Sequence, residues 1–291
     1  MSGRRRSGGF VLLVVVVCLA VGVGVVVALA RSGRAYITGD GCTAVVNGAS
    51  AQLDPDQARY ASIIVAGSIK QKLPPRAATI ALATAFQESG IANLDSGHAD
   101  SLGLFQQRPS QGWGTAKQIM DPYYSTARFY TALAKVPGYQ NLSITDAAQK
   151  VQRSAYGDAY AQHATRSRIL ASAMTGQTAA AFTCTAAHAK PSWTPGQVMT
   201  DISSSFGARV RVAAAPSGVV VTVPTSQGTS TDRERIRWAV AQWAVANAAQ
   251  APIASVRTNS RLWTRVNGAD GWQVEKNQPA AGSVTIELTV A

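Results

Sequence analysis

The chain has 291 residues and a net charge of +12. This length suits about two domains. The sequence has no dense Lys/Arg run with interleaved aromatic residues, and this argues against a nucleic-acid-binding protein. Diffuse positive charge favours weak attraction to polyanionic surfaces such as cell envelopes. Since there are three His and no Cys pair at ligand spacing, we predict no metal site and no cofactor.

Residues 1–34 contain the clearest targeting signal. An arginine cluster, Arg4-Arg5-Arg6, precedes an uncharged apolar run over residues 10–30. A run of about 20 residues suits a membrane-spanning helix, and the arginines would stay cytoplasmic. We therefore predict a single-pass protein held in the cytoplasmic membrane, with its body on the extracellular side. The alternative is a secreted protein cut after Ala30, because Ala28-Leu29-Ala30 also fits a signal-peptide cleavage site.

Residues 35–52 are rich in Gly, Ala, Ser and Thr and predict a stalk. Outside the apolar run the chain has two cysteines, Cys42 and Cys184. Two cysteines in an exported chain are most simply paired. Such a disulfide would close a loop of about 140 residues and contribute about 4–5 kcal/mol to stability. It would also bracket the domain that lies between its ends.

Residues 53–176 predict an all-α domain. Asp54-Pro55 is a typical helix start, with Asp at the N-cap and Pro in the first turn. The next helix ends at Glu88, and Gly90 is its C-terminal stop. Further helices follow a loop over residues 91–115. A loop this long within a compact domain is usually functional.

The C-terminal part has a different pattern. Residues 177–200 are rich in Ala, Thr and Pro and predict a linker. Residues 201–291 combine β-branched runs with turn signals such as Asn267-Gly268 and with one helix. This pattern predicts a small α+β domain with a helix packed on an antiparallel sheet. Its role is open, and we expect it to bind a protein partner.

Glu88 is the candidate catalytic residue. It lies at the end of a helix, where the helix dipole is negative, and apolar side chains such as Phe86, Ile91 and Leu104 are close in sequence. Both effects favour the protonated carboxyl group over its anion. A protonated Glu can act as a general acid and donate a proton to a glycosidic oxygen. The alternative is a Glu that only caps or ion-pairs at the helix end.

The surrounding motifs point to a family. Gln87-Glu88-Ser89 is followed by Gly103-Leu104-Phe105-Gln106, and this order and spacing resemble the lysozyme-like superfamily. The nearest branch is that of soluble lytic transglycosylases and goose-type lysozymes, in which a catalytic Glu-Ser pair precedes Gly-Leu-Met-Gln. Residues 100–114 look more narrowly like a divergent form found in bacterial cell-wall and phage-tail proteins. The resemblance covers about residues 55–175.

This resemblance implies a lysozyme-like all-α fold and an enzyme that cleaves peptidoglycan glycan strands. The bond would be the β-1,4 linkage between N-acetylmuramic acid and N-acetylglucosamine. Glu88 would be the general acid and then base, and Tyr156 would orient it. Asp100 or Asp95 would be the second carboxylate of a hydrolase; if neither reaches, the 6-hydroxyl of the substrate would attack and form a 1,6-anhydro sugar. The predicted substrate-binding residues are Ser89, Ser101, Gly103, Phe105, Gln106, Gln107 and Trp113.

One departure from the family pattern supports a different hypothesis. After Ala155-Tyr156 the family has Asn, whereas this chain has Gly157-Asp158. The polar partner that follows the Tyr is therefore changed. The alternative function is a catalytically inactive, lysozyme-like protein that binds the cell wall or serves as a scaffold in the envelope.

Overall fold

A computed structural model describes residues 39–152, 160–276 and 282–289 of the chain. All of them belong to one compact unit, Ile37–Ala291. The targeting signal in residues 1–34 lies outside the described residues, and so does Tyr156. Of the helices that the structure describes, none has both the length and the apolar character needed to cross a bilayer.

A three-stranded antiparallel sheet joins the two ends of the predicted helical domain. Its strands are β1 (Gly41–Val46), β2 (Ala49–Leu53) and β3 (Phe182–Thr185), in the order β2-β1-β3. Asn47 and Gly48 connect β1 to β2, with φ angles of 49° and 79°. Positive φ at both positions is typical of the tight Asn-Gly turn of a β-hairpin. Of the segment predicted as a stalk, residues 41–52 therefore belong to a β-hairpin.

The predicted fold class, an all-α domain followed by a small α+β domain, is wrong. The protein is a mixed α/β structure with two antiparallel sheets. The reason is that β1 and β3 pair across the whole helical segment and pack against its helices, so the sheet is part of the same core. Cys42 and Cys184 are direct partners in this pairing, and the predicted disulfide joins them.

Two helices form the centre of the molecule. Helix α1 (Pro55–Lys70) begins at Asp54, whose carboxylate accepts from the Gln57 amide while the Gln57 side chain accepts from the Asp54 amide. Helix α2 (Pro75–Ser89) ends at Gly90, which is left-handed with φ of 65°. These observations confirm both predicted helix boundaries. The side chains of α2 are buried from Ala77 to Phe86, so this helix runs through the core and ends beside the loop that follows Gly90.

Shorter helices surround α2. They are α3 (Ala116–Ile119), α4 (Pro122–Leu133), α5 (Ile144–Gln152) and α6 (Ala164–Met174), with a 3-10 turn at Ala161–His163 before α6. Helix α6 lies between α2 and the first sheet, and α5 packs on the other part of α2. The C-terminal end of α2, which carries Glu88, therefore lies between the 91–115 loop and the turn that leads into α6.

The second sheet has six antiparallel strands in the order β4-β5-β9-β6-β7-β8. Two helices accompany it, α7 (Pro195–Phe206) and α8 (Ser230–Ala246). Helix α8 packs on the two central strands and is buried through Trp243 and its neighbours. The strands are β4 (Arg211–Ala215), β5 (Gly218–Thr222), β6 (Ile253–Thr258), β7 (Arg261–Thr264), β8 (Gln273–Val274) and β9 (Ser283–Leu288).

Buried side-chain amides of the C-terminal half bond to the helical half. Gln242, on α8, is fully buried; its Nε2 donates to the carbonyl of Ala173, and its Oε1 accepts from the amide of Ala181. Asn247, at the end of α8, donates to the hydroxyl of Ser62 on α1 at 3.0 Å. Because buried polar groups must be paired, these bonds fix α8 against α1 and α6. Residues 177–200, predicted as a linker, contain β3 and the start of α7.

Candidate functional site

The site begins with a tight turn in the 91–115 loop. Leu102 and Gln107 form an isolated antiparallel bridge, with amide-to-carbonyl bonds of 2.9 and 3.0 Å. Gly103 starts the turn with φ of 74°, and its amide donates to the carbonyl of Leu94 at 2.7 Å. A Cβ at position 103 would lie 2.9 Å from the carbonyl oxygen of Ile119. Gly103 is therefore needed for this close backbone approach.

Ser89 connects this turn to helix α2. Its Oγ lies 2.8 Å from the carbonyl oxygen of Leu104 and 3.1 Å from that of Ala85. A hydroxyl has one proton, so it donates to one of these carbonyls at a time. Phe105, which follows Leu104 in the turn, is fully buried, and its ring stacks on Phe129 with ring centroids 4.6 Å apart. Ser89 thus holds the loop on α2, Phe105 holds it on α4, and the side chain of Phe105 cannot reach a ligand.

Glu88 is half-buried and receives a hydrogen bond from Tyr160. The Tyr160 hydroxyl lies 2.7 Å from Oε1 of Glu88, and the ring is almost completely buried. A buried ring has little rotational freedom, so this bond sets the orientation of the carboxyl group. The role that we predicted for Tyr156 is thus filled, among the described residues, by a Tyr four positions later. Tyr160 was not predicted, because the family motif points to Tyr156, which lies outside the described residues.

A second set of contacts holds the residue before Glu88. Oε1 of Gln87 accepts from the side-chain amide of Gln162 at 3.2 Å and lies 3.1 Å from Nε2 of His163. Arg166 donates to the other ring nitrogen of His163 at 2.8 Å, so Nε2 of the neutral ring carries the proton and donates to Gln87. Burial, and then the charge of Arg166, lowers the pKa of His163. The neutral imidazole therefore persists at neutral pH.

An aromatic contact adds to this anchor. The Phe86 ring stacks on His163 at 5.7 Å, and the Arg166 guanidinium lies over the same ring, 3.4 Å from its centroid. Stacked cation–aromatic pairs of this kind are stabilising. The last turn of α2 is consequently fixed on the side that faces the start of α6. Sequence reasoning missed these contacts because they join residues more than 70 positions apart.

Asp100 is engaged within the loop. Its Oδ1 accepts from Nε of Arg108 at 2.7 Å and from the Ser110 hydroxyl at 3.0 Å, and Oδ2 accepts from the Ser110 amide at 2.8 Å. The hydrogen bond from Arg108, followed by that from the Ser110 amide, holds the pKa of Asp100 well below its usual range. Asp95 is exposed and accepts from the neighbouring Ser96 hydroxyl at 3.3 Å. Asp100 therefore acts as an anchor of the loop.

Replacing Asp100 with Asn is expected to lower the Tm at pH 7 by at most a few degrees, because the pair with Arg108 is partly exposed. The pKa of Asp100 is lower in the folded than in the unfolded chain, where it is about 3.9. Its contribution is therefore complete above about pH 4 and is lost as the pH falls through the folded-state pKa. Thermal unfolding of both proteins between pH 7 and 2 checks this. A Tm difference that grows on acidification would contradict it.

The remaining predicted binding residues lie around the turn. Gln106 has φ of 47°, and its Nε2 donates to the carbonyl of Gly103 at 3.3 Å. Gln107 is buried, and its Nε2 donates to the carbonyl of Ser125 at 3.2 Å. Ser101 is also buried, whereas Trp113 is half-buried at the far end of the loop. Of these four, Gln106 and Trp113 retain surface that a ligand could contact.

Among the described residues, this site offers no ready-made set of metal ligands. Within the residues that the structure describes, no group of three His, Cys, Asp or Glu side chains is placed to hold an ion. The arrangement is a single carboxyl group, oriented by a buried phenol, at the junction of a core helix and a tightly braced loop. No model of a known protein family matches the sequence, and no curated protein matches it either.

Proposed function

We propose that this protein cleaves peptidoglycan glycan strands at the β-1,4 bond between N-acetylmuramic acid and N-acetylglucosamine. The observation that carries the proposal is the 2.7 Å hydrogen bond from Tyr160 to Oε1 of Glu88. It leaves Oε2 to carry the proton that a general acid donates. The likeness of the Glu88-Ser89 pair and its following Gly-Leu-Phe-Gln to lytic transglycosylase motifs supplies the substrate class.

In the proposed reaction Oε2 of Glu88 protonates the glycosidic oxygen, and the C1–O bond of N-acetylmuramic acid breaks. The leaving sugar departs as an alcohol, and positive charge develops at C1 and its ring oxygen. The resulting Glu88 carboxylate then removes the proton from the 6-hydroxyl of the same sugar while O6 bonds to C1. This step forms a 1,6-anhydro ring and returns Glu88 to its acid form, so no water is consumed.

We favour this internal attack over hydrolysis because the carboxylate of Asp100 is already engaged in hydrogen bonds. A hydrolase of this kind uses a second carboxylate to stabilise the cation or to activate water. The Asp100 carboxylate accepts three hydrogen bonds from Arg108 and Ser110, and a carboxylate stabilised in this way is a weak base. We therefore assign both proton transfers to Glu88 and the attack to the 6-hydroxyl of the substrate; the role of the exposed Asp95 is tested by substitution.

We propose that the reaction takes place outside the cytoplasm. The disulfide between Cys42 and Cys184 is compatible with an extracellular or secreted protein, because such bonds persist in oxidising compartments. The basic and apolar character of residues 4–30 also predicts export. Peptidoglycan is the glycan polymer that an exported bacterial enzyme meets there.

Mass spectrometry of soluble products tests the proposal. Purified sacculi incubated with the full chain should release muropeptides that end in 1,6-anhydro-N-acetylmuramic acid, each lighter by one water than its hydrolysed counterpart. Products with reducing N-acetylmuramic acid ends would replace internal attack with hydrolysis. Binding to sacculi without any new chain ends would overturn cleavage and favour the scaffold hypothesis.

A further inference from the structure

A positively charged groove lies where the 91–115 loop meets α4 and α5. Its volume is about 580 Å³. The described residues that line it include three basic side chains, Arg128, Lys135 and Lys150, and no acidic one. The groove therefore suits a ligand with negative charge. We call it the cationic groove; its other main walls are Trp113, Val136 and Gln152.

The charges are available to a ligand. Arg128, Lys135 and Lys150 are all exposed, and within the described part of the chain none of them forms an ion pair. Arg128 donates to the carbonyl of Gly112 at 3.2 Å, which fixes one charge at the end of the loop. Arg128 lies on α4 and Lys135 lies two residues after the end of that helix, and both line the groove. Lys150, on α5, adds a third charge from a different helix.

The floor of the groove is formed in part by Trp113. This ring is half-buried, whereas Val136 and Val151 are almost fully buried and expose little surface to a ligand. The hydroxyl of Tyr124 donates to the carbonyl of Trp113 at 3.2 Å and holds that segment in place. A ligand with small apolar groups between its charges would cover this floor. A polymer that carries only phosphates would leave it in water.

A wall residue of the groove and the residue next to Glu88 both form hydrogen bonds with the 103–106 turn. Gln152, in the wall of the groove, donates to the carbonyl of Phe105 at 2.7 Å. Ser89, next to Glu88, lies 2.8 Å from the carbonyl of Leu104. The turn between them therefore connects the catalytic carboxyl to the groove by two short hydrogen bonds.

We propose that the cationic groove binds the carboxylate-bearing peptide that peptidoglycan carries on N-acetylmuramic acid. This inference rests on the proposed function, because it assigns the peptide part of the same substrate. The peptide offers carboxylates for the three basic side chains and Ala methyl groups for the ring of Trp113. Binding there would make the enzyme select strands that still carry peptides over strands from which the peptides have been removed.

The test compares three ligands and three proteins by calorimetry. The ligands are the disaccharide–tripeptide of peptidoglycan, the same disaccharide after its peptide is removed, and polyglycerol phosphate. The full chain carrying Glu88→Gln is the reference, since it should not consume the ligand. The groove variant adds Lys135→Gln and Lys150→Gln. The matched control adds Lys190→Gln and Arg211→Gln, two exposed cations outside the groove with the same loss of charge.

We expect the peptide-bearing ligand to bind the reference about tenfold more tightly than the peptide-free one. The groove variant should lose about fivefold in affinity for the peptide-bearing ligand only, since each exposed pair is weak. The control should stay within about twofold. Equal binding of both ligands, no binding of either, or equal losses in variant and control would overturn the inference. So would a groove-dependent preference for polyglycerol phosphate over the peptide-bearing ligand.

Failure of this inference can be distinguished from failure of the proposed function. Cleavage of sacculi by the chain with Glu88 intact is measured separately. Groove-dependent binding of the peptide without any cleavage would overturn the enzymatic function alone. Cleavage together with binding that ignores the groove cations would overturn only the inference made here.

Discussion

Replacement of Glu88 by Gln is expected to reduce release of muropeptides from sacculi by about 100- to 10,000-fold, the contribution of a general acid–base group. An amide can neither donate the required proton nor remove one. Gln has the same size, and its carbonyl oxygen can accept the Tyr160 hydrogen bond at the position of Oε1. The fold should therefore be retained, and an unchanged Tm would attribute the loss to chemistry. Initial rates of muropeptide release measure it.

Two companion variants sharpen this result. Asp95→Asn removes an exposed carboxylate of the same loop and should leave the rate within about twofold. Tyr160→Phe keeps the buried ring but removes the hydroxyl; it should lower kcat by about tenfold with little change in KM, because a misoriented acid slows the chemical step. If Glu88→Gln stays fully active, Glu88 is not the acid. If Asp95→Asn loses as much activity as Glu88→Gln, Asp95 takes part in the reaction, and internal attack without a second carboxylate is overturned.

Removal of the disulfide should have the largest effect on stability. We expect Cys42→Ala with Cys184→Ala to reduce the free energy of unfolding by about 4–5 kcal/mol, because the bridge closes a loop with a sequence separation of 142. At about 2–4 °C per kcal/mol for a domain of this size, the Tm should fall by roughly 8–20 °C. The cross-link restricts the unfolded chain, which otherwise gains the entropy of that whole loop. Thermal unfolding under oxidising conditions measures the difference.

The control for this prediction is unfolding in the presence of a strong reductant. Both cysteines are buried, so their replacement by Ala also changes packing. The reduced protein and the double variant should unfold within a few degrees of each other, since neither has the bridge. If the oxidised protein unfolds at the same temperature as the reduced one, the disulfide contributes no stability.

The helix boundaries were predictable because their causes are local. Asp54 and Pro55 are adjacent at the start of α1, and Gly90 adopts the left-handed conformation that ends α2. The strands of the first sheet were not predictable by periodicity. They are short and rich in Ala, Ser and Thr, and β1 pairs with β3 at a separation of more than 140 residues. One local signal was available, the Asn47-Gly48 turn.

Part of the candidate site could be predicted from the sequence, and part of it could not. Glu88 and the Gly103 turn were indicated by a motif, and the structure connects them through Ser89. The partners of Glu88 and Asp100 could not be derived, because a hydrogen bond between distant residues leaves no periodic trace. Tyr160 lies 72 residues from Glu88, and Arg108 is one of several basic residues that could have paired with Asp100.

The amides of Gln242 and Asn247 bear on how such a chain could arise and be altered. Gln242 supplies the acceptor for the amide of Ala181, and that amide would lose this partner if the C-terminal part were cut away. Asn247 donates to the Ser62 hydroxyl, which also bonds to the carbonyl of Arg59. The sheet is therefore not a detachable module that recombination could exchange between proteins. A truncation after residue 193 would remove the support of α1 and α6, and with it the frame that holds Glu88.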